Sequence, residues 1–260
     1  NMNLGAMHNT PGDVGSYGLL YQWGRKDPFP AAPTLTGTTA TVGAPIYDGD
    51  DNEIKITNSS QSSTADNNLA FAIANPTVCL SNYAQFNTSR DWLQADMSND
   101  ALWGNPKGAE RNETNDFLNK GAKSFYDPCP VGWRVPPADV FRNFTASGGY
   151  AWVIDDFDIA DISGDGAKSL ADYDYGWTFN LSDSASSYFP AAARFDGSYA
   201  MLMGSMSGLW GSYWGNAPYP GDMFQGGAYS VLSFQIKDTA GNEMITTSPA
   251  GGGARADAYS

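Results

Sequence analysis

The chain has little of what most chemistry needs. Among its 260 residues it has a single histidine, His8. A Ser-His-Asp or Cys-His arrangement would have to be built on that residue, and no GxSxG-type nucleophile motif accompanies it. Cysteine is nearly as scarce. Cys79 and Cys129 are far apart, and together with His8 they lack the clustered spacing of a zinc site. Two cysteines are also too few for a disulfide framework. A Cys79–Cys129 bridge would close a loop of about 50 residues, worth roughly 3–4 kcal/mol in the chain-entropy model, and two buried free thiols are the competing reading. Cations are outnumbered, with Lys and Arg totalling 14 against 28 Asp and Glu, for a net charge of −14. Such a charge repels phosphate backbones and anionic lipid, which argues against nucleic-acid and membrane-surface binding. Only Arg25 and Lys26 form an adjacent basic pair. No apolar run approaches membrane-spanning length, so no membrane insertion is expected, and no signal peptide is visible.

The hydrophobic share of 42 % is that of a globular protein and excludes a disordered reading. One large domain over residues 1–260 is expected. Gly, Asn, Ser, Trp and Tyr are plentiful, which suits strands and turns better than long helices. An all-helical fold is not expected. No fixed-period repeat is present.

The run DPCPVGWRVPPADVF, from Asp127 to Phe141, carries the most information. Pro128, Pro130 and Pro136 fix φ and remove donors, so the segment is extended. A helix can begin at Pro137, with Asp139 near its positive end and Val140, Phe141 and Phe144 spaced for one buried face. This run resembles the CP-x-GW-x-(L/V)-P signature of the Fibrobacter succinogenes major paralogous domain family. It is also similar to the GWRLPTEAEWE segment of formylglycine-generating, sulfatase-modifying-factor-like proteins. Other segments match the first family in its own order: NMNLGA at Asn1 to Ala6, YGLLYQW at Tyr17 to Trp23, Gly204 to Trp214, and the tail ADAYS. The resemblance implies an α+β, C-type-lectin-like fold, strand-rich with one or two short helices and long loops, with Trp23 and Trp133 largely buried and the two chain ends close together. It also implies that Cys129 pairs with a cysteine just beyond Ser260, and that the chain is a trimmed piece whose export signal lies upstream. It carries no activity, because formylglycine-generating chemistry needs a reactive cysteine pair late in the domain and nothing after Cys129 supplies one.

Along the chain, residues 31–68 are rich in Thr, Ser, Asn, Gly and Asp and read as an insertion of short strands and turns. NLAFAIANPTVCL alternates well enough for a strand broken at Asn75-Pro76. The segment SNYAQFNTSRDWLQADMSNDALWGNPKG reads as a loop with a helical turn around Trp92. After an acidic stretch from Asp155 to Asp174, strands are expected in YGWTFNL, SYFPAAARF, SYAMLMGSM and AYSVLSFQI.

Two regions are candidate sites. Asp161, Ser163, Asp165, Ala167, Ser169 and Asp172 have the oxygen-ligand spacing of a dockerin-like calcium loop, with Gly166 at the sharp turn, so Ca²⁺ is the cofactor to consider. Lys168 stands where such loops carry a hydrophobe, and Asp172 replaces the usual Glu; a solvated acidic turn is the alternative. The second region, Gly208 to Ser230, packs aromatics and amides among glycines and prolines. Rings supply rigid contact area and amides supply direction, which sugar and peptide recognition both use. Ligand contact is assigned to Tyr213, Asn216, Tyr219, Asp222, Phe224 and Gln225, while Trp210 and Trp214 correspond to a core strand of the resembling family. Pairs of carboxylates for glycoside hydrolysis exist in any acidic chain, but no motif selects one.

The resulting expectation is a non-catalytic, secreted or cell-surface bacterial binding or adhesion domain with a glycan or protein ligand. Three alternatives stand beside it: a structural part of a fimbria-like assembly, a retroelement-diversified ligand-binding protein, and a carbohydrate-active enzyme.

Overall fold

Gly18 turns the N-terminal segment into the first strand. Its φ is +71°, and a Cβ there would lie 2.7 Å from the Leu4 carbonyl oxygen, so only glycine fits. The computed structural model describes residues 2–31, 46–47, 49–54, 57–59, 68–80, 92, 102–104, 123–148, 151–196, 201–202, 207–218, 228–237, 243–254 and 258–259. In chain order β1 (Leu19–Gln22) returns as β2 (Pro28–Pro30), and a small hairpin follows from β3 (Ile46–Tyr47) and β4 (Glu53–Ile54). Next, β5 (Thr57–Ser59) runs through helix α1 (Asn68–Ala74) to its parallel partner β6 (Val78–Leu80). A 3-10 helix at Ala138–Phe144 precedes the hairpin of β7 (Gly176–Ser182) and β8 (Ala185–Pro190). The chain continues through β9 (Phe195–Asp196), β10 (Met201–Leu202), β11 (Trp210–Pro218), β12 (Ala228–Lys237), β13 (Glu243–Ala254) and β14 (Ala258–Tyr259). Sheet order is β10-β9-β14-β1-β2 in one sheet and β11-β12-β13 in another. The fold is strand-rich with little helix, its sheets small and mostly antiparallel, compatible with α+β.

Strands from the two ends of the chain meet in the first sheet, where Tyr21 lies opposite Tyr259. The expected strands in YGWTFNL, SYFPAAARF, SYAMLMGSM and AYSVLSFQI each contain a strand. NLAFAIA is instead a helix. Leu69 and Ala72 meet the core at helical spacing, Ile73 faces water, and the Asn75 side chain donates to the Phe71 carbonyl at 2.8 Å to close the last turn. Alanine's helix preference and this local cap outweigh the alternation that suggested a strand.

The helix after Pro137 starts where the prolines place it, but it is 3-10. Three residues per turn put Phe141 and Phe144 in one buried row and rotate Val140 out to solvent. Trp133 is the larger departure, because it is 67 % exposed. The Asp127 carboxylate accepts from Cys129 N at 2.9 Å and Val135 N at 3.1 Å, pinching both ends of the loop between them. At the tip, Trp133 N donates to Pro130 O at 3.0 Å across Gly132, whose φ is +86°, as in a type II turn. The turn therefore lifts Val131 and Trp133 off the body. Cys79 and Cys129 are both free thiols, so the bridge between them does not form.

The core beneath is organised by indoles. Trp214, Trp92 and Trp103 donate their ring N–H to the carbonyls of Tyr21 (2.7 Å), Trp23 (2.9 Å) and Arg25 (3.3 Å), while Trp23 donates to Gly215 O (3.0 Å). Arg25 is buried and donates to Gln22 Oε1, Val78 O and Asp27, tying β1 to β6. A second core packs Phe144 on Phe179 at 4.3 Å, with Trp177, Leu232 and Phe234 around them. Gly211 and Gly176 allow this closeness: a Cβ at Gly211 would lie 2.3 Å from the Phe234 ring, and one at Gly176 would lie 2.4 Å from Phe189 O.

Trp23→Phe keeps a ring in place but leaves the buried Gly215 carbonyl without its donor. A cost of about 1–3 kcal/mol in urea unfolding is expected. An unchanged midpoint would mean that this carbonyl needs no indole.

Candidate functional site

A pocket of about 360 Å³ opens where six separate parts of the chain converge. Its floor is Tyr21, Trp103, Val135, Tyr213 and Trp214, all buried core residues. Phe141 and Phe144 of the 3-10 helix and Phe189 of β8 form one wall, while Leu4, Pro128, Cys129 and Pro136 form another. Met2, Trp133, Val140 and Leu181 are exposed apolar side chains at the rim. The Asp127 clamp positions the rim, because it holds Cys129 and Val135 at the wall and floor while the intervening turn carries Trp133 outward.

Four of the lining rings have their polar ends occupied. Tyr213 Oη donates to Pro190 O at 2.5 Å and accepts from Asn3 Nδ2 at 3.3 Å. Tyr188 Oη donates to Asp174 O at 2.7 Å, and the Trp103 and Trp214 N–H groups are spent on backbone carbonyls. Burial pushes the Tyr213 hydroxyl well above its ordinary pKa and raises Tyr188 to about 12, so neither ionises near neutrality. Burial, reinforced by the nearby Asp127 carboxylate, raises the Cys129 thiol to about 12. The pocket thus presents aromatic faces, methyl groups and a protonated thiol. It suits binding an apolar group and offers no activated nucleophile.

Of the residues assigned to ligand contact, Tyr213 lies in the pocket floor. Asn216 is buried in β11 rather than in the pocket lining: its N–H donates to Pro136 O at 2.9 Å, and neither amide atom of its side chain has a partner. Tyr219, Asp222, Phe224 and Gln225 lie outside the described residues. The pocket itself was missed by sequence reasoning, since Met2, Trp103, Val135, Phe141 and Leu181 share no motif. The one local signal is the Pro-Val-Gly-Trp run, whose glycine permits a turn with Trp133 at its end.

The 161–172 loop is folded around its own carboxylates. Asp161 accepts from Gly164 N at 2.6 Å, Gly166 N at 2.9 Å and the Ser163 hydroxyl at 3.2 Å, and Asp165 accepts from Ala167 N at 2.9 Å. Asp172 accepts from Ile162 N, Ser163 N and Ser169 N, and Ser169 completes a capping box by accepting from Ala171 N. The Lys168 ammonium reaches the Phe157 carbonyl. These carboxylates face backbone N–H groups, and among the described residues no group of three His, Cys, Asp or Glu gathers as a metal site. For Asp172, burial works to raise the pKa, but the hydrogen bonds from Ser163, Ser169 and Ile162 outweigh it, and its pKa lies below the ordinary carboxylate value.

His8 lies on the N-terminal segment with Nε2 3.6 Å from Asp13. Among the described residues no helix is long and apolar enough to cross a membrane. No protein-family model matches the chain, and no curated protein or solved structure matches it significantly.

Because only the thiolate attacks an alkylating agent, Cys129 in the folded protein should react with iodoacetamide at pH 8 on the order of a thousandfold more slowly than a free thiol of pKa 8.5. Mass spectrometry of labelled protein, with the unfolded chain as reference, reads the ratio; comparable rates would contradict a thiol held protonated by its part-buried site beside Asp127.

Asp172→Asn sets an amide among three backbone donors and should cost about 1–3 kcal/mol at pH 7. Because the folded pKa is lowered, the stabilisation is fully present above about pH 4, the ordinary value, and is lost as pH falls through the folded pKa. The stability gap between wild type and variant should therefore narrow in acid; a gap independent of pH would contradict the ionised, hydrogen-bonded carboxylate.

Proposed function

We propose that this chain is a non-catalytic binding domain of the C-type-lectin-like class, akin to the Fibrobacter succinogenes major paralogous domain family. In this reading it works in a secreted or surface protein of a bacterium, where it takes a protein or glycan ligand. The sequence motifs support the family, and the pairing of strands from both chain ends agrees with how this fold closes. The observation that carries the binding reading is the apolar pocket with Trp133 standing 67 % exposed at its mouth. Exposed aromatics are costly to leave in water, and a rim of apolar side chains around a concave floor is the usual form of a recognition site. Trp133 supplies large, rigid contact area, and its loss should cost binding more than folding.

A second reading, a structural role in a fimbria-like assembly, draws on β13. Among the described residues this long strand pairs only with β12, which leaves its other edge available for strand addition.

Arrays of glycans and of host proteins probed with the purified chain would identify ligands. For each one, Trp133→Ala should weaken binding by about 1–3 kcal/mol while the melting temperature stays within about a degree or two, since the side chain packs little. Ligands that bind the variant as tightly as wild type would place recognition elsewhere, with the β13 edge as the next surface to block.

A further inference from the structure

Resting on the reading of the pocket as the recognition site, we infer that its partner is a polypeptide segment that inserts an uncharged aromatic or large aliphatic side chain flanked by lysine or arginine. The anchor follows from the lining. Tyr213, Tyr188, Trp103 and Trp214 spend their hydroxyl and ring N–H groups on hydrogen bonds within the chain and most of the remaining lining is carbon, so a polar or charged insert would lose its water for few partners there. A volume of about 360 Å³ takes a ring and its neighbouring methylenes.

The flanking charge follows from what surrounds the mouth. The chain carries a net −14. Exposed Asp183 sits at the tip of the β7–β8 hairpin, two residues past the rim residue Leu181. Exposed Asp155 and Asp156 lie on a segment bound to the end of the 3-10 helix that walls the pocket, through Asp158 N to Phe144 O at 2.9 Å and Ala146 N to Asp156 O at 2.7 Å. Of the cations on these segments, Lys123 is closed onto buried Asp127 at 2.8 Å, Arg134 and Arg142 are engaged within the chain, and Lys168 is held at the Phe157 carbonyl, so Asp183 is the carboxylate on which the flanking charge rests. Exposed carboxylates next to an apolar socket steer and hold a cationic segment, and they repel an acidic one or a second copy of this chain.

Five isothermal titrations with four probes test this: N-acetylphenylalaninamide, acetyl-Lys-Lys-Phe-Lys-Lys-amide, its Glu-for-Lys and Ala-for-Phe counterparts, and the first peptide again on Asp183→Lys protein. In 50 mM salt the lysine peptide should bind at least about tenfold tighter than the glutamate peptide and than the alanine peptide, with the preference shrinking in 0.5 M salt. Asp183→Lys, in an exposed turn outside the pocket, should lower affinity for the lysine peptide about threefold or more. Equal binding of the lysine and glutamate peptides overturns the cationic flank while leaving the pocket standing. Equal binding of the phenylalanine and alanine lysine peptides overturns the anchor. If neither the neutral amide nor any phenylalanine peptide binds, the pocket reading fails and this inference fails with it.

Discussion

The structure depends on how the backbone carbonyls along Tyr21 to Arg25 find donors. This stretch is buried from β1 into the turn that follows, and the carbonyls of Tyr21, Trp23 and Arg25 each accept from a ring N–H. An unpaired buried carbonyl costs about 1–3 kcal/mol, more than a typical made hydrogen bond returns. Trp214, Trp92 and Trp103 answer that cost with ring N–H groups, and Trp23 returns the favour to Gly215. Each indole fills core volume with one end of its ring system and satisfies the backbone with the other. Rings from the middle and the end of the sequence are thereby fixed around the first strand, Trp23 against Trp103 at 5.2 Å and Trp103 against Trp214 at 6.4 Å.

The pocket is a by-product of that arrangement. Once the N–H edges of Trp103 and Trp214 point inward to carbonyls, their remaining ring surface has only apolar character to offer, and it becomes the floor. The 3-10 helix adds Phe141 and Phe144 from one side, and the Asp127 clamp adds Pro128 and Cys129 from the other. A cavity made of committed polar groups selects by shape and by exclusion of charge. The charged residues that bear on specificity stand outside it.

Much of the local structure was legible in the sequence, and little of the site was. The prolines from Pro128 to Pro137 fixed an extended run ending at a helix, because they restrict φ whatever surrounds them. The strand pattern after Gly176 was readable for the same kind of reason, since β-branched and aromatic residues alternate there with polar ones. Trp133 was misread because an aromatic beside a family-like motif suggests burial, whereas its exposure depends on a carboxylate six residues earlier that closes the loop below it. Val140 was placed on the buried face because a helix of either type brings Phe141 and Phe144 together, and only the 3-10 geometry turns Val140 out to solvent. Asn216 looked like a recognition amide, but its depth is a property of β11 and the residues over it, which local composition does not encode. Apart from Tyr213, the pocket could not be read from the sequence, since its lining comes from residues 2–4, 21, 103, 128–144, 181–189 and 213–214.

Gly211 and Gly176 bear on how such a domain can change over generations. At both positions any side chain collides with an aromatic ring or a carbonyl of the paired strand, so nearly every substitution is lethal to the layer they sit in. The turn at Val131 and the hairpin tip at Asp183 meet no such barrier, since both are open to solvent. Heritable variation is thus channelled away from the stacked rings and toward the lip of the pocket. Surface letters can change there, with the scaffold beneath held constant by steric veto.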